Sequence, residues 1–174
     1  MGRGRARWGL VIGLASEWVA LAIWIGGLIV LVASVIPAVF NTFGGQDSGG
    51  LFLTRAFEGY NRLVLGAIVV LAGGMAWRSW CVSSDYAVTR VEGLLFGTMV
   101  LIAGIVIFYL HPLAAARQAE AFALKAGEGR KEAFEAFFKL HMPVRTLYMA
   151  NLGLGLALVG VRVRTWISRM ERLL

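Results

Sequence analysis

The chain has 174 residues, 59% of them hydrophobic and 16% charged, with a mean hydropathy of +0.73. Soluble domains carry roughly 25% charged residues, and one small core cannot hide this much apolar surface, so a water-soluble globular enzyme, a disordered chain and a disulfide-stapled secreted domain are excluded. The net charge of +7 gathers at the ends, in Arg3, Arg5 and Arg7 and again in Arg162, Arg164, Arg169 and Arg172, a pattern of membrane-topology signals and lipid-headgroup anchors rather than of nucleic-acid binding.

Residues 1–17 read as a basic N-terminal segment and interfacial lead-in. The apolar stretch that follows exceeds an ordinary signal core, and no A-x-A site follows it. A retained signal-anchor helix is therefore expected. The first span is predicted at about 18–40, a stretch of 23 residues without a charge, roughly 34 Å long as a helix and enough to cross a bilayer. Pro37 lies near its exit, where a kink or a helix end is tolerated. Residues 41–50 (NTFGGQDSGG) are turn-rich.

The second span is predicted at 57–77. Glu58 and Arg62 stand at i and i+4, the spacing of a pair on one helix face. Trp77 and Trp80 suit the interfacial aromatic belt. Cys81 is the single cysteine, so no intrachain disulfide and no CxxC site is available. The third span is predicted at 93–111, closing on Tyr109 and His111-Pro112. Residues 113–140 are rich in Ala, Glu, Lys and Phe and break at Gly127-Glu128-Gly129. Phe134, Phe137, Phe138 and His141 follow the spacing of an amphipathic connector on the membrane surface. Pro143 suits the first turn of a fourth span at 144–161, and 164–174 forms a basic tail.

The fold expected is all-α: an integral membrane four-helix bundle, its membrane domain at 18–163, with an amphipathic interfacial helix between spans three and four. Four spans return both termini to one side, and the terminal arginines place that side in the cytoplasm of a multi-pass plasma (inner) membrane protein. Glycines recur within the spans. Ala22-xxx-Gly26 and Gly93-xxx-Gly97 have the small-xxx-small spacing of close helix contacts, either inside the bundle or at a homo-oligomer face.

Three groups carry candidate chemistry. His111 and His141 close the third span and precede the fourth, and imidazole pairs ligate haem b or copper; the competing reading is interfacial anchoring. Glu17 is an intramembrane acid if the first helix is continuous from Trp8, and an ordinary boundary residue if 8–16 lies along the interface. Tyr60, Arg62, Arg145 and Asn151 flank one membrane face as a polar vestibule, or as a hydrogen-bonded network holding loops to the bundle. No phosphate loop, dinucleotide fingerprint, nucleophile set or metalloprotease helix is present, which argues against an enzyme.

The run Trp24-x-Gly26-Gly27 … Pro37-Ala38-Val39-Phe40, then Phe57-x-x-Tyr60, and later Phe137-Phe138-Lys139-Leu140-His141 followed by Asn151, resembles the transmembrane protein 205-like family with domain of unknown function 4149. The resemblance implies a four-helix membrane protein and supplies no activity. Trp24-x-Gly26-Gly27 is also similar to the first span of copper-resistance D-type membrane proteins; those carry a histidine before the motif, where this chain has Glu17. The functional expectation is a non-enzymatic scaffold or accessory subunit, embedded in the lipid bilayer and associated with other membrane subunits or with copies of itself. The alternatives are a haem- or copper-handling protein using His111 and His141, and an oligomeric small-solute permeability factor.

Overall fold

An apolar run in lipid has one way to satisfy its backbone alone, the α-helix. The computed structural model describes residues 2–43, 46–81, 86–124 and 129–171, without the side chains of 2–7, 46, 47 and 81. The expected features at Gly127, Glu128 and Arg172, and the side chains of Arg3, Arg5, Arg7 and Cys81, lie outside the described residues. The described elements are α1 (Gly2–Val30), a π-helical turn (Leu31–Val35), α2 (Ile36–Phe43), α3 (Gln46–Cys81), α4 (Arg90–Ile105), a second π-helical turn (Val106–Leu110), α5 (His111–Ala123) and α6 (Arg130–Met170). Four stretches among them are long and apolar enough to cross a membrane: Trp8–Phe43, Ser48–Trp80, Arg90–Ala123 and Arg130–Met170. Among the described residues the chain is an all-α four-helix bundle, and its apolar spans require a lipid bilayer.

The spans are longer than the apolar runs alone suggest. Residues 2–17 are not separate from the first span; they are the opening turns of α1. The connector at 113–140 is carried by α5 and by the first turns of α6. Each π-helical turn sits just before a proline. Pro37 and Pro112 cannot donate a backbone hydrogen bond, and their rings crowd the carbonyls of Ala33 and Phe108. The chain widens by one residue and continues, with Ile36 N–H donating to the Leu31 carbonyl and His111 N–H to that of Val106. Pro143 lies inside α6 rather than opening it.

Helix starts follow local chemistry. Thr89 caps α4 by accepting the Glu92 amide at 3.2 Å. Gly129, at φ +98°, turns the chain into α6 with a backbone conformation that side chains disfavour. The buried residues of α6 are Val144, Tyr148, Asn151, Gly155, Leu158 and Arg162, spaced alternately by four and three. In α3, Tyr60, Val64, Ala67, Leu71, Met75 and Arg78 likewise follow at steps of three or four. That helical period keeps one stripe of each helix facing its neighbours. The opposite faces carry exposed apolar side chains such as Val69, Leu94 and Phe108, suited to lipid.

Gly155 lets α6 approach α1: a Cβ there would sit 2.8 Å from Ile25. The sequence motifs chosen for close contact behave differently. Gly26, Gly93 and Gly97 meet nothing within 4 Å.

Candidate functional site

Antiparallel spans bring the start of the first and third and the end of the second and fourth to one side of the bundle, that of the termini. Each contributes one buried charge there: Glu17, Arg78, Glu92 and Arg162, none more than 5% exposed. Arg78 Nε lies 3.1 Å from Glu17 Oε1, and Arg162 Nη2 lies 2.9 Å from Glu17 Oε2 and 2.8 Å from Glu92 Oε1. Arg78 also donates to Glu92. Each acid therefore touches both bases, and the ring closes with no net charge. Burying ions costs several kcal/mol each unless they are paired in this way. Gly74 makes the space: a Cβ there would come 2.5 Å from Glu17 Oε1.

The first helix runs continuously through Glu17, whose side chain is buried in the ring. Arg78 and Glu92 were not singled out from the sequence, and Arg162, grouped there with the terminal headgroup-anchoring arginines, is instead buried in the ring. The available signal was one charge near the same end of every span, alternating in sign and summing to zero.

A polar layer crosses the middle of the bundle. Tyr60 donates to the Trp24 carbonyl at 2.8 Å, Tyr148 to Asn61 Oδ1 at 2.8 Å, and Asn151 Nδ2 to the Met99 carbonyl at 3.1 Å. These bonds tie the second span to the first, the fourth to the second and the fourth to the third. Phe57 packs on the Tyr148 ring at a tilt of 43°, with centroids 5.2 Å apart.

Toward the end away from the termini, the four spans part around a cavity of about 450 Å³. Its walls are largely aromatic and aliphatic: Leu28 and Phe40 from the first span, Phe57 from the second, Phe122 from the third, Phe134 and Phe138 from the fourth. Its polar side chains are few. Thr54 donates to Gln118, while His111, His141 and Arg145 complete the polar lining with Tyr148. Leu28 and Tyr148 also border a void of only about 10 Å³ beneath, within the polar layer. Below that the core is filled by Leu21, Leu71, Met99 and Leu158.

The structure brings His111, His141 and Arg145 to this one cavity. It puts Tyr60 and Asn151 in the buried layer below, and leaves Arg62 exposed, apart from both. His111 Nε2 is buried without a hydrogen-bond partner. His141 packs on Phe137 at 5.3 Å. Among the described residues no group of three His, Cys, Asp or Glu side chains is placed to hold a metal ion. A haem or copper reading rests on the two imidazoles alone.

No curated protein and no solved structure matches the chain. One family model does, over residues 19–123, described as a domain of unknown function, DUF4149. The matched segment carries most of the first three spans, with Arg78 and Glu92 of the ion ring and His111 of the cavity. It covers more than half of the sequence, and the chain belongs to the DUF4149 family.

Proposed function

We propose that this chain is a non-enzymatic membrane protein that holds a predominantly apolar small molecule inside its bundle. The observation that carries the reading is the cavity of about 450 Å³ between the spans. Ligand sites are concave, mostly apolar, and furnished with a few polar groups, commonly at 300–1,000 Å³. The packed core and ion ring beneath the cavity favour a holding site over a pore through one chain. The test is mass spectrometry of the protein extracted in mild detergent, wild type against Ala115→Trp, which fills the cavity from its α5 wall. The wild type is expected to carry a small molecule that the variant loses while keeping its melting temperature. Equal retention by both would refute the reading.

A second reading, accessory subunit or homo-oligomer, is favoured by the open glycines. Gly66, Gly73, Gly93, Gly97 and Gly104 meet nothing within 4 Å, and such faces admit close approach of another helix. Co-purification in mild detergent tests it, and isolation as a lone monomer opposes it. The copper or haem alternative is tested by metal analysis and an absorption spectrum; absence of both signals removes it. We place the four spans in the plasma membrane, with the basic ends before Trp8 and after Val163 in the cytoplasm, on the strength of Arg3, Arg5 and Arg7. A C-terminal reporter active only outside the cytoplasm would reverse the orientation.

A further inference from the structure

The cavity is apolar but not neutral in character. Among its lining residues are one permanent cation, Arg145, and two imidazoles, His111 and His141; none of the described lining residues is Asp or Glu. The remaining polar groups are already engaged. Thr54 and Gln118 bond each other, and the Tyr148 hydroxyl is used by Asn61. Arg145, an exposed residue at the cavity wall, forms no ion pair with any described residue, and His111 Nε2 is buried without a partner. A buried polar atom left unpaired costs free energy, and an unpaired guanidinium beside an apolar cavity attracts an acceptor with negative charge.

The placement of these groups orders the site. His141 and Arg145 are one turn apart on α6, and His111 faces the same cavity from the start of α5. All three line the one cavity, whose other walls include Val32, Ile36, Val144 and Met149 and form an apolar chamber.

We infer that the occupant is a single-chain amphiphile, an apolar tail bearing a carboxylate or phosphate head. The tail fills the chamber, and the head accepts hydrogen bonds from Arg145 and the imidazoles. This rests on the reading of the cavity as a binding site, and the two fail separately in the following experiment.

Full-length protein in uncharged detergent micelles is irradiated with one of three probes sharing a diazirine-bearing tail: a fatty acid, a lysophosphatidate and a fatty alcohol. Labelled residues are mapped by mass spectrometry. Cavity residues are expected to be labelled about tenfold more by at least one anionic probe than by the alcohol, the worth of a charge-assisted hydrogen bond. Labelling by the fatty acid alone assigns a free carboxylate; labelling by the lysophosphatidate, alone or as well, assigns a phosphate headgroup. Arg145→Gln should abolish the preference while Arg145→Lys keeps most of it, which separates lost charge from misfolding. If all three probes label the cavity equally and Arg145→Gln changes none of them, the anionic assignment is overturned and the cavity remains a binding site. If no probe reaches the cavity, or Ala115→Trp leaves labelling unchanged, the binding reading falls as well.

Discussion

Glu17→Gln is the sharpest perturbation of the ion ring. The substitution keeps size and removes one charge, leaving Glu92 to balance both Arg78 and Arg162 in a site at most 5% exposed. Two contacts are lost, at 3.1 and 2.9 Å. Coulomb's law at an effective dielectric near 20 gives each about 5 kcal/mol. Relief of the Glu17–Glu92 repulsion and of the acid's desolvation offsets most of that, leaving about 3–5 kcal/mol, the usual cost of breaking a buried pair. Melting followed by circular dichroism in detergent should fall by roughly 6–20 °C, at about 2–4 °C per kcal/mol for a chain of this size. The double variant Glu17→Gln/Arg162→Gln returns the site to neutrality as a single Arg78–Glu92 pair. It should lose less than the sum of its single variants, with a coupling of about 2 kcal/mol. Arg164→Gln, at an exposed position, is the control. If Glu17→Gln melts within about 2 °C of wild type and the double variant is additive, the ring does not hold the bundle.

Adjacent glycines separate packing from helix propensity. Gly74→Ala thrusts a Cβ to within 2.5 Å of Glu17 Oε1 and should lower the melting temperature nearly as far as Glu17→Gln, whereas Gly73→Ala meets nothing within 4 Å and should be silent or gain about 1 kcal/mol from the better helix former; equal effects would refute the packing argument. Tyr148→Phe strips Asn61 Oδ1 of its donor and should cost about 1–3 kcal/mol in the same assay, the penalty of an orphaned buried acceptor; an unchanged melt would show that Asn61 finds another partner.

The helical fold was legible because lipid leaves so few choices. Runs such as 18–40 announce a span by length and lack of charge alone. Helix ends were harder to read. Pro37 and Pro112 look like stops in sequence, but a π-helical turn before each lets the helix run on. Pro143 looks like a start and lies within α6. The cavity was half visible: His111 and His141 stand out as the only histidines, yet nothing in their spacing says that the spans part between them. The ion ring was least visible, because pairing depends on register across helices. Arg78 sits in an Arg-Ser-Trp-Cys run that reads as a span boundary, and Glu92 reads as an N-terminal helix acid. Gly93-xxx-Gly97 misdirects in the opposite sense, since a motif of close contact can face outward.

The two ends of the bundle solve different problems, and the ring at one end answers the hollow at the other. In lipid, helices associate through packing contacts rather than by escaping water. A cavity removes those contacts along part of every span. Ion pairs are a poor replacement for stability alone, since well-packed apolar groups of the same volume often do as well or better. Their advantage here is directional. Each acid touches both bases, so like charges lie on the diagonals, first span opposite third and second opposite fourth. Exchanging neighbours would set acid against acid and base against base, so the alternation specifies which helices are adjacent. Inverting all four charges (Glu17→Arg, Arg78→Glu, Glu92→Arg, Arg162→Glu) preserves it. Inverting only Glu17→Arg and Arg78→Glu preserves composition and leaves two attractive pairs, first with second and third with fourth, but sets like charges between the first and fourth spans and between the second and third. The half-inverted protein should therefore aggregate or melt well below the fully inverted one, despite carrying fewer substitutions. Equal stability of the two, by size-exclusion profile and thermal melt, would mean that the apolar stripes alone choose the neighbours and that the ring merely tolerates their choice.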